Sequence, residues 1–188
     1  MKRIAAVLLA VSATACASQE AQERYRASQE RNPAPCPNVV VLQDAGRFVD
    51  FAGEPALETI TWSGEIQDVT TACRYFADEP IEAALDVELA IGRGPMADGD
   101  VKEVTYFVAI TRTNRDLIAK QEFTVPVKFR RGQDVATITE SINNIVIPRA
   151  NETISGINFE IVVGLSVTRD QVLFNRSGES LKFPGLDG

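Results

Sequence analysis

Residues 85–91 read Leu85-Asp86-Val87-Glu88-Leu89-Ala90-Ile91, and their hydrophobic side chains repeat with a period of two that recurs along the chain. Every second side chain is large and apolar, and the residues between them are acidic or small. A period of two places successive side chains on opposite faces of a β-strand. The apolar row therefore predicts a buried face, and Asp86 and Glu88 are predicted to lie on a solvated one.

The same period recurs after Asn38. An apolar run at residues 39–42 is followed by alternating stripes at residues 104–110, 123–129 and 157–167, of which the last is the longest. No amphipathic helix separates the stripes, so parallel β-α-β units are not expected. About seven strands in roughly 140 residues predict an all-β domain: an antiparallel β-sandwich, immunoglobulin-like in general shape, with a small β-barrel as the alternative.

The breaks between the stripes carry turn residues. Thr113-Asn114-Arg115-Asp116 predicts a hairpin, and Arg131-Gly132-Gln133-Asp134 joins the next two runs. Gly92-Arg93-Gly94 is interpreted as a turn that opens a long loop at residues 92–101, because the third glycine of a dinucleotide-binding loop is missing. Pro126 cannot donate to a sheet ladder, which predicts an edge strand or a bulge there.

The N-terminus has the three parts of a secretory signal. Met1-Lys2-Arg3 is basic, residues 4–11 are apolar, and small residues lead to Cys16. An apolar run of eight residues is too short for a membrane-spanning helix, which needs roughly 20.

Ala13-Thr14-Ala15-Cys16 resembles the lipobox of bacterial lipoproteins, although Ala13 stands where leucine is usual. The resemblance covers residues 1–16. It implies a signal peptide at residues 1–15 and a diacylglyceryl group, carrying fatty acids such as palmitate, on Cys16. Residues 13–15 also fit an ordinary secretion site, and both alternatives cut before Cys16. Ala17 is not the aspartate that often retains such lipoproteins at the inner membrane, so the resemblance implies an outer-membrane anchor facing the periplasm.

Residues 16–35 are predicted to tether a single β-sandwich domain at residues 36–188, since Tyr25 is their one large apolar side chain. A tether followed by strands also resembles the small envelope lipoproteins of Gram-negative bacteria, a likeness of layout that implies no activity.

The chain has three cysteines, an odd number for an exported protein. Lipid on Cys16 leaves Cys36 and Cys73, which predicts a disulfide in an oxidising compartment. Such a bridge fastens the start of the domain to a central strand. Two buried free thiols are the alternative.

The composition excludes several chemistries. The chain has no histidine, which excludes Ser-His-Asp and Cys-His catalysis and the H-E-x-x-H zinc motif. We therefore predict no enzyme activity, no cofactor and no metal site. Removal of residues 1–15 lowers the number of basic residues from 19 to 17, while the number of acidic residues stays at 26. The net charge therefore falls from -7 to -9. Such an acidic domain repels phosphate backbones, and no nucleic-acid partner is predicted.

Four residues are candidates for binding a partner. Trp62, the single tryptophan, is either buried near the disulfide or an exposed anchor. Lys128, Arg130 and Arg131 form a small basic cluster that is interpreted as a solvated strand end, with contact to anionic headgroups or an acidic partner as the alternative.

Three functions follow as hypotheses. The first is a membrane-anchored, non-enzymatic binding or assembly module for another envelope protein, using the edge at Pro126 and the loop at residues 92–101. The second is a carrier that shelters a lipid or other apolar ligand in a cavity between its sheets. The third is a histidine-free hydrolase with two carboxyl groups facing each other in a cleft.

Overall fold

A computed structural model describes residues 35–183. This part of the chain forms eight strands and one α-helix, with short 3-10 turns between some of them. The strands are β1 (Asn38–Val41), β2 (Arg47–Phe51), β3 (Ile60–Arg74), β4 (Ile81–Arg93), β5 (Val101–Arg112), β6 (Leu117–Lys128), β7 (Val135–Ile147) and β8 (Phe159–Leu165), and the helix is α1 (Arg169–Arg176).

The strands form two four-stranded sheets. Sheet A has the order β1-β8-β5-β6, and sheet B has the order β2-β3-β4-β7. The pair β1–β8 is parallel, and the other pairs within residues 35–183 are antiparallel. The two sheets pack against each other and do not close into a barrel. The predicted β-sandwich is confirmed, with eight strands in place of about seven, and the barrel alternative is not observed.

One hydrophobic cluster fills the space between the sheets. The apolar row that opened the sequence lies in it, because Leu85, Val87, Leu89 and Ile91 are each at most 1% exposed. Sheet A contributes the inner row of β5 and the inner row of β8. The strand predicted at residues 157–167 is longer than the observed β8, because Ile157 lies in a 3-10 turn before the strand and is 62% exposed.

The predicted connections are largely confirmed. Residues 113–116 turn β5 into β6 as a hairpin, and Pro126 lies on β6, the edge strand of sheet A. The turn at residues 131–134 carries the chain from sheet A to sheet B. The predicted turn at Gly92-Arg93-Gly94 begins late, because Gly92 and Arg93 still belong to β4. Gly94 follows the strand at a place where a Cβ atom would collide with the carbonyl of Ile60.

The strand registers give the sandwich two distinct ends. The end at which β1, β4 and β8 begin and β3 finishes carries the Cys36–Cys73 bridge, and we call it the proximal end. The opposite end carries the loops at residues 52–59, 94–100 and 129–134 and the segment after β8, and we call it the distal end.

The helix α1 is absent from the sequence prediction. Thr168 caps it by accepting a hydrogen bond from the Gln171 backbone, and the Gln171 side chain bonds back to the Thr168 N–H. Phe174 of the helix packs edge-on against Phe51 of β2, with ring centres 5.9 Å apart. The helix thus covers the flank of the sandwich at β2.

Candidate functional site

A disulfide joins Cys36 to Cys73 with a Cα–Cα distance of 5.6 Å. The predicted pairing is therefore confirmed, and the alternative of two free thiols is wrong. Cys73 lies near the end of β3, an interior strand of sheet B, as predicted. Because Cys36 precedes β1 in sheet A, the bridge connects the start of the domain to the opposite sheet.

Tyr75 strengthens the same junction. Its hydroxyl donates to the carbonyl of Pro35 at 3.1 Å and accepts from the N–H of Gly156 at 2.9 Å. A Cβ atom at Gly156 would collide with the backbone of Pro35 and Cys36, so the loop before β8 lies directly on the incoming chain. The point at which the chain joins the domain is thus held from two sides.

Arg149 fastens the two loops that surround this junction. Its guanidinium donates to the carbonyl of Glu79 at 2.7 Å, to that of Ile154 at 2.8 Å, and to that of Ala77. The guanidinium also lies 4.5 Å from the centre of the Tyr75 ring. One cation therefore satisfies backbone acceptors on both loops.

The proximal half of β3 is paired on only one side. Its partner β2 spans five residues and pairs with β3 only between Ile60 and Glu65. The N–H of Ile66 still donates to the carbonyl of Gly46 at 2.9 Å. Beyond it, no strand within residues 35–183 pairs with residues 68–74 on the side away from β4. An unpaired strand edge of this kind is a template for another extended chain.

A cleft of about 600 Å³ opens beside this edge. Val69 and Thr71 lie on the inner row of β3 but remain half-exposed, because β2 does not extend far enough to cover them. The lining combines apolar and polar side chains: Cys36, Pro37, Asn38, Val39, Val69, Thr71, Thr113, Ile157 and Glu160. The cleft is open to solvent and half polar, which suits a peptide or another protein surface better than an enclosed lipid.

Two carboxylates lie near the cleft, on opposite outer faces of the sandwich. Glu160 is the one charged residue that lines the cleft, and it alternates with the buried Phe159 and Ile161 on the outer face of sheet A. Asp68 lies on the outer face of β3 in sheet B, at the start of the unpaired edge. Neither carboxylate forms an ion pair within the described part of the chain.

A second polar cluster lies at the distal end. Lys102 extends from β5 between the sheets, where its ammonium binds Asp50 at 2.9 Å and lies 5.4 Å from the centre of the Phe48 ring. The other carboxylate oxygen of Asp50 accepts from Gln171 of α1 at 2.7 Å. Every polar group in this cluster has a partner, so we interpret it as a structural link between the sheets and the helix.

Trp62 belongs to the same end. It is 5% exposed, its ring centre is 5.4 Å from that of Phe129, and Lys102 lies 5.9 Å from it. The alternative of an exposed anchor is wrong for this residue. The expected proximity to the disulfide is also wrong, because Trp62 and Cys73 are eleven positions apart on one strand, about 35 Å.

The basic cluster is exposed, as both of its interpretations require. Lys128, Arg130 and Arg131 are all solvent-accessible, and none forms an ion pair within residues 35–183. The cluster lies at the distal end, where Lys128 is the last residue of β6 and Arg130 and Arg131 are in the turn before β7, so it is far from the cleft. Its contact with an anionic partner stays a prediction.

The other hypotheses gain no support from the geometry. Asp86 is exposed on the outer face of sheet B, where it accepts from Ser141 at 2.6 Å, and Glu88 lies on the same face. No group of three or more Asp, Glu or Cys residues within the described part of the chain is arranged to hold a metal. A carrier requires a cavity inside the sandwich, and the buried side chains of both sheets occupy that space.

Two titratable groups among residues 35–183 have shifted pKa values. Burial, and secondly the charge of Glu140 on the inner row of β7, raise the pKa of Tyr106 to about 12. On the outer face of sheet A, a hydrogen bond from Lys120 and then its positive charge lower the pKa of Glu122. The first shift reflects core packing and the second a surface ion pair, so neither indicates a catalytic group.

Comparison with known proteins adds no family. No family model, no curated protein and no solved structure matches the chain. Within residues 35–183, no helix is long and apolar enough to span a membrane. Cys16 and the predicted signal peptide lie outside the described residues.

The cleft was missed at the level of sequence because it results from strand lengths and pairing. Gly46 before β2 and the Gly53-Glu54-Pro55 break after it were the available signals that β2 is short. The length of β3 could not be matched to that of β2 without knowing that the two strands pair.

Proposed function

We propose that this protein is a lipid-anchored, non-enzymatic binding module of the bacterial envelope, which holds a partner protein at the proximal end of its β-sandwich. The observation that carries this proposal is the unpaired edge of β3 at residues 68–74, beside an open cleft. An exposed backbone edge next to a partly apolar cleft is a common way to bind an extended segment.

The disulfide supports the cellular location. A bridge between Cys36 and Cys73 persists in an oxidising compartment and is rare in the cytosol. It also pairs two of the three cysteines and leaves Cys16 available for lipid. These facts favour export, and they agree with the lipobox resemblance, from which the anchor and its placement in the outer membrane facing the periplasm are inferred.

Mass spectrometry of the chain extracted from membranes tests the anchor. We expect a mature protein that begins at Cys16 and carries the mass of a diacylglyceryl group. The Cys16→Ser variant is the control, and it should lose both the added mass and the membrane association. An unmodified mature chain in the soluble fraction would overturn the anchored function.

Cross-linking in intact cells tests the binding function. We expect a partner to be recovered in near-stoichiometric amount from the detergent-solubilised envelope of cross-linked cells. If the complex is weak, preparations without cross-linking should lose this partner on dilution. Absence of any stoichiometric partner in both the cross-linked and the native preparations would overturn the proposal.

A further inference from the structure

We infer that residues 168–183 form a releasable strap, which opens as one unit while the sandwich stays folded and which covers the outer edge of β2 until it opens. The strap consists of α1 with its cap and the 3-10 turn at Glu179–Lys182. It follows Val167, which packs against the hydrophobic core. Its opening requires neither the lipid anchor nor a partner, so it is a property separate from the proposed binding function.

The backbone of the strap is not part of either sheet. The chain just before it still is, because the N–H of Ser166 donates to the carbonyl of Thr105 at 2.8 Å. Within the described part of the chain, no backbone hydrogen bond joins residues 168–183 to a strand. The capping box of Thr168 and Gln171 and the helical bonds of α1 are internal to the strap. The strap can therefore leave without breaking any bond of a strand ladder.

Polar side chains dock the strap beside β2. Asn175 donates to the carbonyl of Asp44 at 2.9 Å and to that of Arg47 at 2.7 Å, and Gln171 donates to the carboxylate of Asp50 at 2.7 Å. Water can replace each of these hydrogen bonds when the strap leaves, so each contributes only modestly to docking. The buried Oδ1 atom of Asn175 has no hydrogen-bond partner within residues 35–183, which reduces the gain from docking further.

The apolar part of the docking contact is small. None of the eight residues of α1 is buried, and Leu173 is 50% exposed. The ring of Phe51 on β2 lies 5.9 Å from that of Phe174 and 4.9 Å from that of Phe183, centre to centre. A helix of this length is marginal on its own, so α1 depends on this contact. Elements with few buried apolar contacts open at free energies below that of global unfolding.

The closed strap covers a strand edge. Because the N–H of Ile66 donates to the carbonyl of Gly46 and an antiparallel ladder alternates, Arg47 and Val49 direct their backbone groups away from β3. The side chain of Asn175 binds the outward carbonyl of Arg47. Proteins commonly cover such an edge with a helix, which prevents pairing with another chain. Opening of the strap therefore uncovers the edge of β2.

Hydrogen exchange of the full chain in detergent, measured by mass spectrometry, tests the strap. After correction for intrinsic rates, we expect the amides of residues 172–177 to exchange about a hundredfold faster than those of β4, an interior strand of sheet B. Addition of about 1 M urea should raise the strap rate by less than about twofold and the β4 rate by about 30-fold, because local opening exposes little surface.

Two results of this experiment would overturn the inference. Equal rates and equal urea dependence in the two segments would mean that α1 opens only when the whole sandwich unfolds. Exchange of residues 172–177 at the rate of an unstructured peptide would mean that the strap is never closed.

Phe174→Ala and Leu173→Ala form a matched pair on the strap. Both shorten a large apolar side chain of α1, but only Phe174 packs against Phe51. We expect Phe174→Ala to speed exchange of residues 172–177 about tenfold and Leu173→Ala to leave it unchanged. Asn175→Ala removes two hydrogen bonds to the β2 side and should also speed it about tenfold. Equal effects of the changes at positions 173 and 174 would overturn the docking of the strap on β2.

Discussion

Replacing both Cys36 and Cys73 with serine is expected to destabilise the domain by about 4 kcal/mol. The two residues are 37 positions apart, and the bridge closes a loop of that size in the unfolded chain. Loop-closure entropy then amounts to about 13 cal/mol/K, or about 4 kcal/mol at 25 °C. Domains of ordinary size have about 5–15 kcal/mol of total stability, so the bridge supplies a quarter or more of it.

Urea denaturation followed by circular dichroism measures this loss. With a slope of about 2 kcal/mol/M, the midpoint should fall by about 2 M. The unsubstituted chain in reductant should unfold at the same midpoint as the double variant. Ala72→Ser, an exposed change on β3 next to the bridge, is the matched control and should unfold like the unsubstituted chain.

A loss below about 1 kcal/mol would refute the reasoning, because loop closure would then contribute little to stability. The same holds if reductant leaves the midpoint of the unsubstituted chain unchanged. In either case the contacts of Tyr75 and Gly156, together with the four-residue pairing of β1, would hold the proximal end without the bridge.

Three further outcomes are expected. Arg149→Lys should cost about 1–3 kcal/mol in urea denaturation, because an ammonium cannot span the carbonyls that the guanidinium satisfies, and unchanged stability would contradict that role. The pKa of Tyr106 is raised from 10.0 to about 12 in the folded state, so its stabilising effect is complete below pH 10 and is lost as the pH rises through 12. The loss should be about 3 kcal/mol, and Tyr106→Phe should flatten this part of the stability curve, whereas an identical curve would disprove the assignment. Glu140→Val should increase self-association in sedimentation experiments by removing an inward charge from an edge strand, while Glu103→Val should not, and two monomeric variants would rule out this protection.

The sequence predicts the interior of the sandwich well, because each buried row is a local pattern. Leu85, Val87, Leu89 and Ile91 alternate with polar residues in the sequence, and they are all buried. Pro126 likewise marks an edge strand, since a missing N–H has the same consequence wherever the strand pairs. The disulfide also followed from local counting, as two cysteines remain once Cys16 is assigned to lipid.

What could not be predicted depends on which strands are neighbours. The cleft exists because β2 has five residues and its partner β3 has fifteen, and nothing in either segment states that they pair. The helix α1 was missed because its eight residues bear little apolar surface, although Thr168 and Gln171 have the spacing of a capping box. The prediction that Trp62 lies near the bridge fails because Trp62 and Cys73 are at opposite ends of one extended strand.

The Cys36–Cys73 bridge also determines how the domain responds to force. A pull on the polypeptide that precedes Pro35 reaches the bridge before it reaches β1, which is held in its sheet by only four residues of parallel pairing. The load passes into β3, whose fifteen residues run the length of sheet B and pair with β4 along nearly all of it. Mechanical failure then requires β3 to separate from β4, a ladder that extends from Trp62 to Arg74 and is much longer than the four pairs that hold β1, so a domain pulled from its N-terminal side withstands more tension than β1 alone would bear.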